Sequence, residues 1–183
     1  MGNVLIDPVI PEKEQRLADK IFSGVEERLG YVPAGLRLYG ISPHLLQSFS
    51  SAVGYFMGHE RLSQKLLSFI RYLVSSEANC RFCIDFNQGI LLSLGVTEQE
   101  LQEARSNPRA APLEERERER ELLHIALTAV DNPEAIDETR VSAAREIGCS
   151  DRDIFEAVYI ASNNRAFTTV LKTFNLEHQE AFA

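Results

Sequence analysis

The chain has 183 residues, 44% of them hydrophobic and 25% charged, which is typical of a globular protein with one sizeable core and excludes a disordered or fibrous chain. The net charge of −8, without a cluster of basic residues, argues against a nucleic-acid partner, because such binding depends on Lys and Arg neutralising phosphates. No apolar run approaches the ~18 residues of a membrane helix and no signal-peptide pattern opens the chain, so we expect a cytoplasmic protein with no membrane partner.

Apolar residues recur at helical spacing along nearly the whole chain, after an N-terminal arm of about residues 1–11. The spacing is seen at Leu17, Ile21, Val25 and Leu29, at Leu62, Leu66, Phe69, Ile70 and Leu73, and at Ile154, Ala157, Val158 and Ala161. Turn residues interrupt it at 30–35, 41–44, 93–97, 106–112, 131–135 and 146–151. Thr97 and Ser150 are predicted N-caps, because each has an acidic residue three positions later. We therefore predict an all-α fold of seven or eight helices in a single domain over residues 1–183.

The run "EERERERE" at 114–121 alternates in charge sign at the start of a predicted helix that becomes apolar at Leu122. Such a run places opposite charges three positions apart along a helix. It predicts a helix face exposed to solvent.

Two segments resemble each other when Gly95 is aligned with Gly148. "LLSLGVTEQELQEA" and "SAAREIGCSDRDIFEA" each contain a helix end, a glycine turn and a capped helix. The match is weak in identity and continuous in pattern. It predicts two copies of a helical unit, a CxxC-bearing copy at about 60–105 and a second copy at about 114–176.

The cysteine pair in "SSEANCRFCIDFNQG" (75–89) has no counterpart in the second copy, where Pro133 and Ile136 align with Cys80 and Cys83. The thiols are therefore not needed for the scaffold. If Asn79 is the N-cap, Cys80 is the first residue of a helix, where backbone amides and the helix dipole favour a thiolate. A helix start and a C-x-x-C motif both lower the pKa of a cysteine, which predicts a reactive pair.

Cys80, Cys83 and Asn87 lie at i, i+3 and i+7, so they share one helix face, which continues as apolar. The pair should lie at the edge of the core, close enough to form a disulfide. Such a pair could attack a peroxide or a disulfide with one sulfur and resolve the product with the other.

The cysteine pair has three other interpretations. Two buried structural cysteines remain an alternative. A zinc site would need a second ligand pair, but Cys149 is alone in its turn and the four histidines have no metal spacing, so no metal is expected. A thioredoxin domain would surround the motif with a βαβ pattern, which is absent.

The stretch "KLLSFIRYLVSSEANCRFCIDFNQGILLSLGVTEQEL" (65–101) resembles the AhpD-like alkylhydroperoxidase and carboxymuconolactone decarboxylase superfamily, more on its peroxidase side. Further likeness is found in "LGYVPAGLRLYGISPHLL" (29–46) and "SNNRAFTTVLKTFNL" (162–176). The resemblance implies an all-helical homo-oligomer (trimer, dimer or hexamer) whose two cysteines cycle between dithiol and disulfide. It also implies a hydroperoxide substrate, a protein or small-thiol reductant and no cofactor. Cys83 would then be the attacking thiol and Cys80 the resolving one, although the order could be reversed.

Two positions depart from the family pattern. The family has a His four residues after the second cysteine, where this chain has Asn87, and commonly a Glu twelve residues before the first, where it has Ser68. In the family these groups form a proton relay, whereas neither Asn nor Ser titrates usefully near pH 7. The redox pair is therefore present without its expected base.

Four other side chains could substitute for that base. Glu77 would face the cap region near the cysteines, although an exposed loop carboxylate is the simpler interpretation. Asp85 is expected to point to solvent, His59 is a further candidate, and His124 is expected to be a half-buried structural histidine.

The sequence thus predicts a cysteine-based hydroperoxide reductase or thiol-disulfide oxidoreductase whose activity is reduced or altered by Asn87 and Ser68. The first alternative is a catalytically degenerate AhpD-like protein that senses redox state or binds a partner. The second is a lyase like carboxymuconolactone decarboxylase.

Overall fold

The computed structural model describes residues 4–179, and within them the chain forms nine α-helices and no strand. The helices are α1 (Gln15–Leu29), α2 (Ala34–Tyr39), α3 (Pro43–Met57), α4 (Gln64–Glu77), α5 (Arg81–Ser93), α6 (Glu98–Ser106), α7 (Arg116–Asp131), α8 (Glu138–Glu146) and α9 (Asp151–Thr173). Short 3-10 turns lie at Glu12–Glu14, Pro108–Ala110 and Pro133–Ala135. The all-α prediction is confirmed. None of the helices in this part of the chain combines the length and the apolar character needed to span a bilayer.

The chain divides into two compact units. The first comprises the residues up to Gly58 and those from Leu171, and the second runs from His59 to Val170. In the first unit α1 packs against α3. In the second, α4 packs against both α5 and α7, and its Leu66, Phe69 and Ile70 are wholly buried. Each such side chain contributes roughly 1.5–3 kcal/mol by leaving water, so α4 is the central helix of the unit that contains the cysteine pair.

The two glycine turns on which the predicted repeat was aligned share their local structure. Gly95 and Gly148 both adopt the left-handed conformation, with φ of 82° and 91°, which a residue with a side chain rarely adopts. After each glycine a predicted N-cap is confirmed. The Thr97 hydroxyl accepts the Glu100 N–H at 3.2 Å, and the Ser150 hydroxyl accepts the Asp153 N–H at 3.1 Å. The same turn chemistry therefore recurs at both glycines. The copies differ where the cysteines lie, because Pro133–Ala135 form a 3-10 turn and α8 begins only at Glu138, so the prediction that the second copy builds the same turn without cysteine is wrong.

One helix break was not predicted. The spacing of Leu62 placed it in a helix, but Leu62 lies in a loop before α4 and is nevertheless wholly buried. Helix α4 begins after Ser63, whose hydroxyl accepts the Leu66 N–H at 3.0 Å. His59 holds the loop, because its Nδ1 accepts the backbone N–H of Leu62 at 2.9 Å. With this break the described chain has more helices than the predicted seven or eight.

The alternating charge run is not a solvated face throughout. Arg118 is 8% exposed and Glu119 is 1% exposed. The Glu119 carboxylate accepts the Ser63 N–H at 3.2 Å, and Arg118 donates to Glu115 at 2.6 Å. The prediction of an exposed face is wrong for these two residues, because the backbone of Ser63 donates to Glu119 and the carboxylate of Asp153 lies 3.6 Å from Arg118.

Candidate functional site

Helix α5 begins one residue later than predicted, at Arg81, so Cys80 precedes its first residue. Asn79 adopts a left-handed conformation, with φ of 51°, and the N–H of Cys80 donates to the Ser75 carbonyl at 3.0 Å. This is the hydrogen bond that closes a helix C-terminus around a left-handed residue, a position that Asn tolerates better than most residues. Asn79 therefore ends α4, Cys80 is the N-cap of α5, and the prediction of Asn79 as N-cap is wrong.

The two sulfur atoms lie 2.7 Å apart and both thiols are free. Cys80 is 1% exposed and Cys83 is 2% exposed, so burial does not distinguish the two thiols. A disulfide has an S–S distance of about 2.05 Å. A small movement of the side chains would therefore join the two sulfurs.

Hydroxyl groups surround the sulfur of Cys83. The Thr168 hydroxyl, on α9, donates to it at 3.6 Å, and the Ser75 hydroxyl, on α4, also hydrogen-bonds to it. Asn164 fixes Ser75, because its amide donates to the Ser75 oxygen at 3.0 Å and to the Arg71 carbonyl at 3.1 Å. Sequence reasoning missed Ser75, Asn164 and Thr168 as site residues. The only signal was that Asn164 and Thr168 belong to the C-terminal segment of the resemblance.

Asn87, on α5, and Ser68, on α4, are both buried, as Cys83 is. The Asn87 amide donates to the Cys83 carbonyl at 2.8 Å, while its Oδ1 is buried without a hydrogen-bond partner among the described residues. The Ser68 hydroxyl accepts from Arg71 Nη2 at 3.2 Å. Asn87 is thus tied to the backbone of the motif, and Ser68 is tied to an arginine.

The remaining candidate bases lie in other surroundings. Glu77 and Asp85 are exposed, and Glu77 lines a cleft of about 470 Å³ with Arg105. His59 Nε2 lies 2.7 Å from the Glu156 carboxylate. His124 contacts the Thr128 hydroxyl at 3.1 Å, and burial lowers its pKa. Within residues 4–179, Cys83 hydrogen-bonds to no imidazole or carboxylate.

The pKa of Cys83 is raised well above its ordinary value. The largest cause is the hydrogen bond with Cys80, followed by burial and the charge of Cys80, while the hydroxyls of Thr168 and Ser75 act in the opposite direction. The expectation that a helix start lowers the pKa does not hold for Cys83, because two adjacent thiols in a buried site cannot both ionise.

Replacing Cys80 with alanine is expected to lower the pKa of Cys83, since it removes the largest cause of the increase. Burial should still keep that pKa above the ~8.5 of a free cysteine. Thiolate absorbance in the ultraviolet between about pH 7 and 11 would measure it. Both proteins should carry Cys149→Ala, because burial raises the pKa of Cys149 to about 11. Titration of Cys83 at an unchanged pH would contradict the coupling.

Comparisons with known proteins place this geometry in a fold. Neither a protein-family model nor a curated protein matches the chain. A peroxidase-related protein from Silicibacter sp. TM1040 is 24% identical with a TM-score of 0.80, covering 96% of this chain and 91% of that one. The AhpD core of a peroxidase-related protein from Ralstonia eutropha JMP134 is 18% identical with a TM-score of 0.77, covering 97% and 92%. The chain has the AhpD-like fold.

A third AhpD-like neighbour has a different named activity. It is a cysteine-to-alanine variant of the debrominase Bmp8 in complex with 2,3,4-tribromopyrrole, 20% identical with a TM-score of 0.69, covering 93% of this chain and 90% of that one. The AhpD-like fold confirms the architecture that the sequence resemblance implied. It is shared by proteins with more than one named chemistry.

Proposed function

We propose that Cys80 and Cys83 form a reversible dithiol-disulfide centre that reduces hydroperoxides. One observation supports this most directly: two free, buried sulfurs lie 2.7 Å apart at the start of one helix, α5. The fold shared with peroxidase-related proteins is consistent with it.

The proposed cycle has three balanced steps. The Cys83 thiolate attacks the outer oxygen of R–O–O–H, forming Cys83–S–OH while the O–O bond breaks and the released alkoxide takes up a proton as R–OH. The Cys80 sulfur then attacks the sulfenic sulfur, forming the disulfide and releasing water. Two equivalents of a thiol reductant return both cysteines to thiols and leave as their own disulfide.

The hydroxyls around Cys83 favour it as the attacking thiol. Thr168 and Ser75 both hydrogen-bond to its sulfur, and hydrogen bonds to a charged form stabilise it. The same hydroxyls could donate to the departing alkoxide. Because no imidazole or carboxylate of residues 4–179 hydrogen-bonds to Cys83 and the pKa of Cys83 is raised, we expect a reaction that is slow at neutral pH and accelerates as the pH rises.

A second candidate function follows from the same raised pKa. A dithiol that reacts slowly suits a redox sensor whose helical assembly binds a partner according to the state of the pair. The proposed reductant is a protein or small thiol in either case, and the proposed assembly is a homo-oligomer. Fast turnover with excess reductant favours the enzyme, and oxidation without turnover favours the sensor.

Oxidation by one equivalent of cumene hydroperoxide is expected to remove two thiols per chain and lower the intact mass by two hydrogen atoms. The reason is that the sulfenic acid on Cys83 lies within reach of Cys80 and condenses with it. Thiol counting and mass spectrometry measure both quantities. A stable gain of oxygen, or no thiol loss, would contradict the proposal. The same assay with 2,3,4-tribromopyrrole tests an organobromine oxidant.

A further inference from the structure

Arg71, on α4, is a cation for which the described chain supplies no anion. Its Nη2 donates to the Ser68 hydroxyl at 3.2 Å, and no carboxylate lies within ion-pair distance of it in residues 4–179. Its Nε is buried without a hydrogen-bond partner there, although part of the side chain reaches the surface. Burial lowers the pKa of Arg71 to about 10. A desolvated charge without a partner is costly.

The second copy of the repeat has a carboxylate at the position of Ser68. The alignment of Gly95 with Gly148 places Glu121 at the position of Ser68 and Arg140 at the position of Asn87. In that copy Arg140 Nη2 lies 3.0 Å from the Glu121 carboxylate. The first copy therefore lacks a carboxylate at the position where the second has one. One turn later it has Arg71, for which residues 4–179 supply no ion-pair partner, where the second copy has His124.

A second unsatisfied group lies on the neighbouring helix. Asn87 Oδ1 is buried and accepts no hydrogen bond from the described residues, while its amide nitrogen is bound to the carbonyl of Cys83. Buried polar atoms of native proteins are nearly always paired. The first copy thus offers an unused N–H donor at Arg71 and an unused acceptor one helical turn after Cys83.

We propose that Arg71 and Ser68 bind the carboxylate of a hydroperoxy carboxylic acid, and that Asn87 Oδ1 accepts the hydrogen of its O–O–H group. The identity of the reacting group rests on the proposed function, while the carboxylate subsite stands on the unpaired charge. A guanidinium and a carboxylate form charge-assisted hydrogen bonds that are stronger than neutral ones. The substrate would supply the anion that residues 4–179 do not, and it would place its peroxide beside the cysteine pair.

The binding test uses hexanoate and its neutral counterpart hexanamide with the reduced protein. The NMR resonance of the Arg71 Nε–H group is expected to shift on adding hexanoate, with hexanamide at least about tenfold weaker. Arg71→Gln should lose the preference when binding is followed by the backbone amide resonances of α4 and α5 in parent and variant. Arg81→Gln is the matched control, because Arg81 lies beside the motif and is exposed, and it should retain the preference. Equal binding of both compounds would overturn the subsite.

Ser68→Glu tests the same subsite from the protein side. It places a carboxylate where Glu121 stands in the second copy, so it should pair with Arg71, raise the thermal stability and abolish hexanoate binding. Ser68→Ala removes one hydrogen-bonding group and adds no charge, so it should weaken hexanoate binding by about tenfold or less, whereas Ser68→Glu abolishes it. Undiminished hexanoate binding by Ser68→Glu would contradict the proposal.

The substrate test compares linoleic acid hydroperoxide with its methyl ester. We expect kcat/KM to favour the acid by at least about tenfold, and Arg71→Gln to bring the ratio close to one. If hexanoate binds at Arg71 but no hydroperoxide is consumed, the proposed function fails and the subsite stands. If cumene hydroperoxide is consumed but hexanoate does not bind, the subsite fails alone. If hexanoate does not bind and Arg71→Gln alters the sedimentation of the protein, a second copy of the chain supplies the carboxylate and the subsite is likewise overturned.

Discussion

Cys83→Ser is expected to abolish the reaction with hydroperoxide, and Cys80→Ser is expected to stop it after a single oxidation. Serine at 83 removes the sulfur to which the Thr168 and Ser75 hydroxyls bind, so the initial rate should fall by about a hundredfold or more. Serine at 80 removes the sulfur that forms the disulfide, so Cys83 should accumulate as a sulfenic acid. Stopped-flow measurement of peroxide consumption and intact mass would separate the two results.

Cys149→Ser is the matched control for this pair. Cys149 is also buried, and its sulfur lies 3.9 Å from the Arg118 carbonyl and away from the motif. Its replacement should leave peroxide consumption unchanged. The opposite pattern, with a sulfenic acid in Cys83→Ser and no reaction in Cys80→Ser, would make Cys80 the attacking thiol. Parental rates in both variants would exclude a cysteine-based reaction.

Local chemistry explains why most of the fold was predictable. Thr97 and Ser150 cap their helices with side chains from the same turn, and Gly95 and Gly148 need only their own backbone freedom. Each of these signals is complete within five residues of sequence, so the helices and the repeat could be predicted without knowledge of tertiary contacts.

The wrong predictions concern features that the local sequence leaves open. Asn79 fits either a helix start or a left-handed helix end, and the local sequence does not choose between them. The burial of Arg118 depends on Asp153, which lies 35 positions later and 3.6 Å away. Long-range pairing of this kind does not change the local pattern of the sequence. The charge run alone therefore predicts a helix face exposed to solvent.

In the candidate site too, local features could be predicted and features that depend on tertiary contacts could not. The closeness of Cys80 and Cys83 follows from their spacing in one turn. The pKa of Cys83 depends on Cys80, on burial and on a hydroxyl from α9. The spacing of the cysteines contains no information on the last two, so it could not predict the direction in which the pKa shifts. The sequence alone does not show that Arg71 has no carboxylate partner within residues 4–179, because that depends on the positions of carboxylates from distant parts of the chain.

The buried charge cluster that joins the loop before α4 to α7 and α9 should account for much of the stability of the second unit. Asp153 is wholly buried; its carboxylate accepts from Arg61 Nη2 at 2.6 Å and lies 3.6 Å from Arg118 Nη1. It also accepts the Ser150 N–H at 2.9 Å. Burial alone would raise its pKa, but the hydrogen bonds from Arg61 and Ser150 outweigh burial and hold the pKa well below its usual range.

Asp153→Asn is therefore expected to lower the free energy of unfolding by about 3 kcal/mol, because it leaves the buried Arg118 guanidinium without this anion. A carboxyl with a lowered pKa stabilises the fold fully above its unfolded value of ~3.9 and loses that contribution as the pH falls through the folded value. The variant should consequently lose part of the decline in stability below about pH 4. Urea unfolding at neutral and acidic pH would measure both effects.

Asp151→Asn is the control in the same helical turn, since its side chain is 74% exposed and pairs with Arg145 at the surface. Exposed ion pairs contribute little, so this variant should unfold close to the parent at neutral pH. Equal losses from Asp151→Asn and Asp153→Asn would show that the first turn of α9, and not the buried cluster, is the source of stability. A large loss of unfolding free energy in Asp153→Asn alone would show that the ion pairs joining the loop, α7 and α9 are the source of that stability.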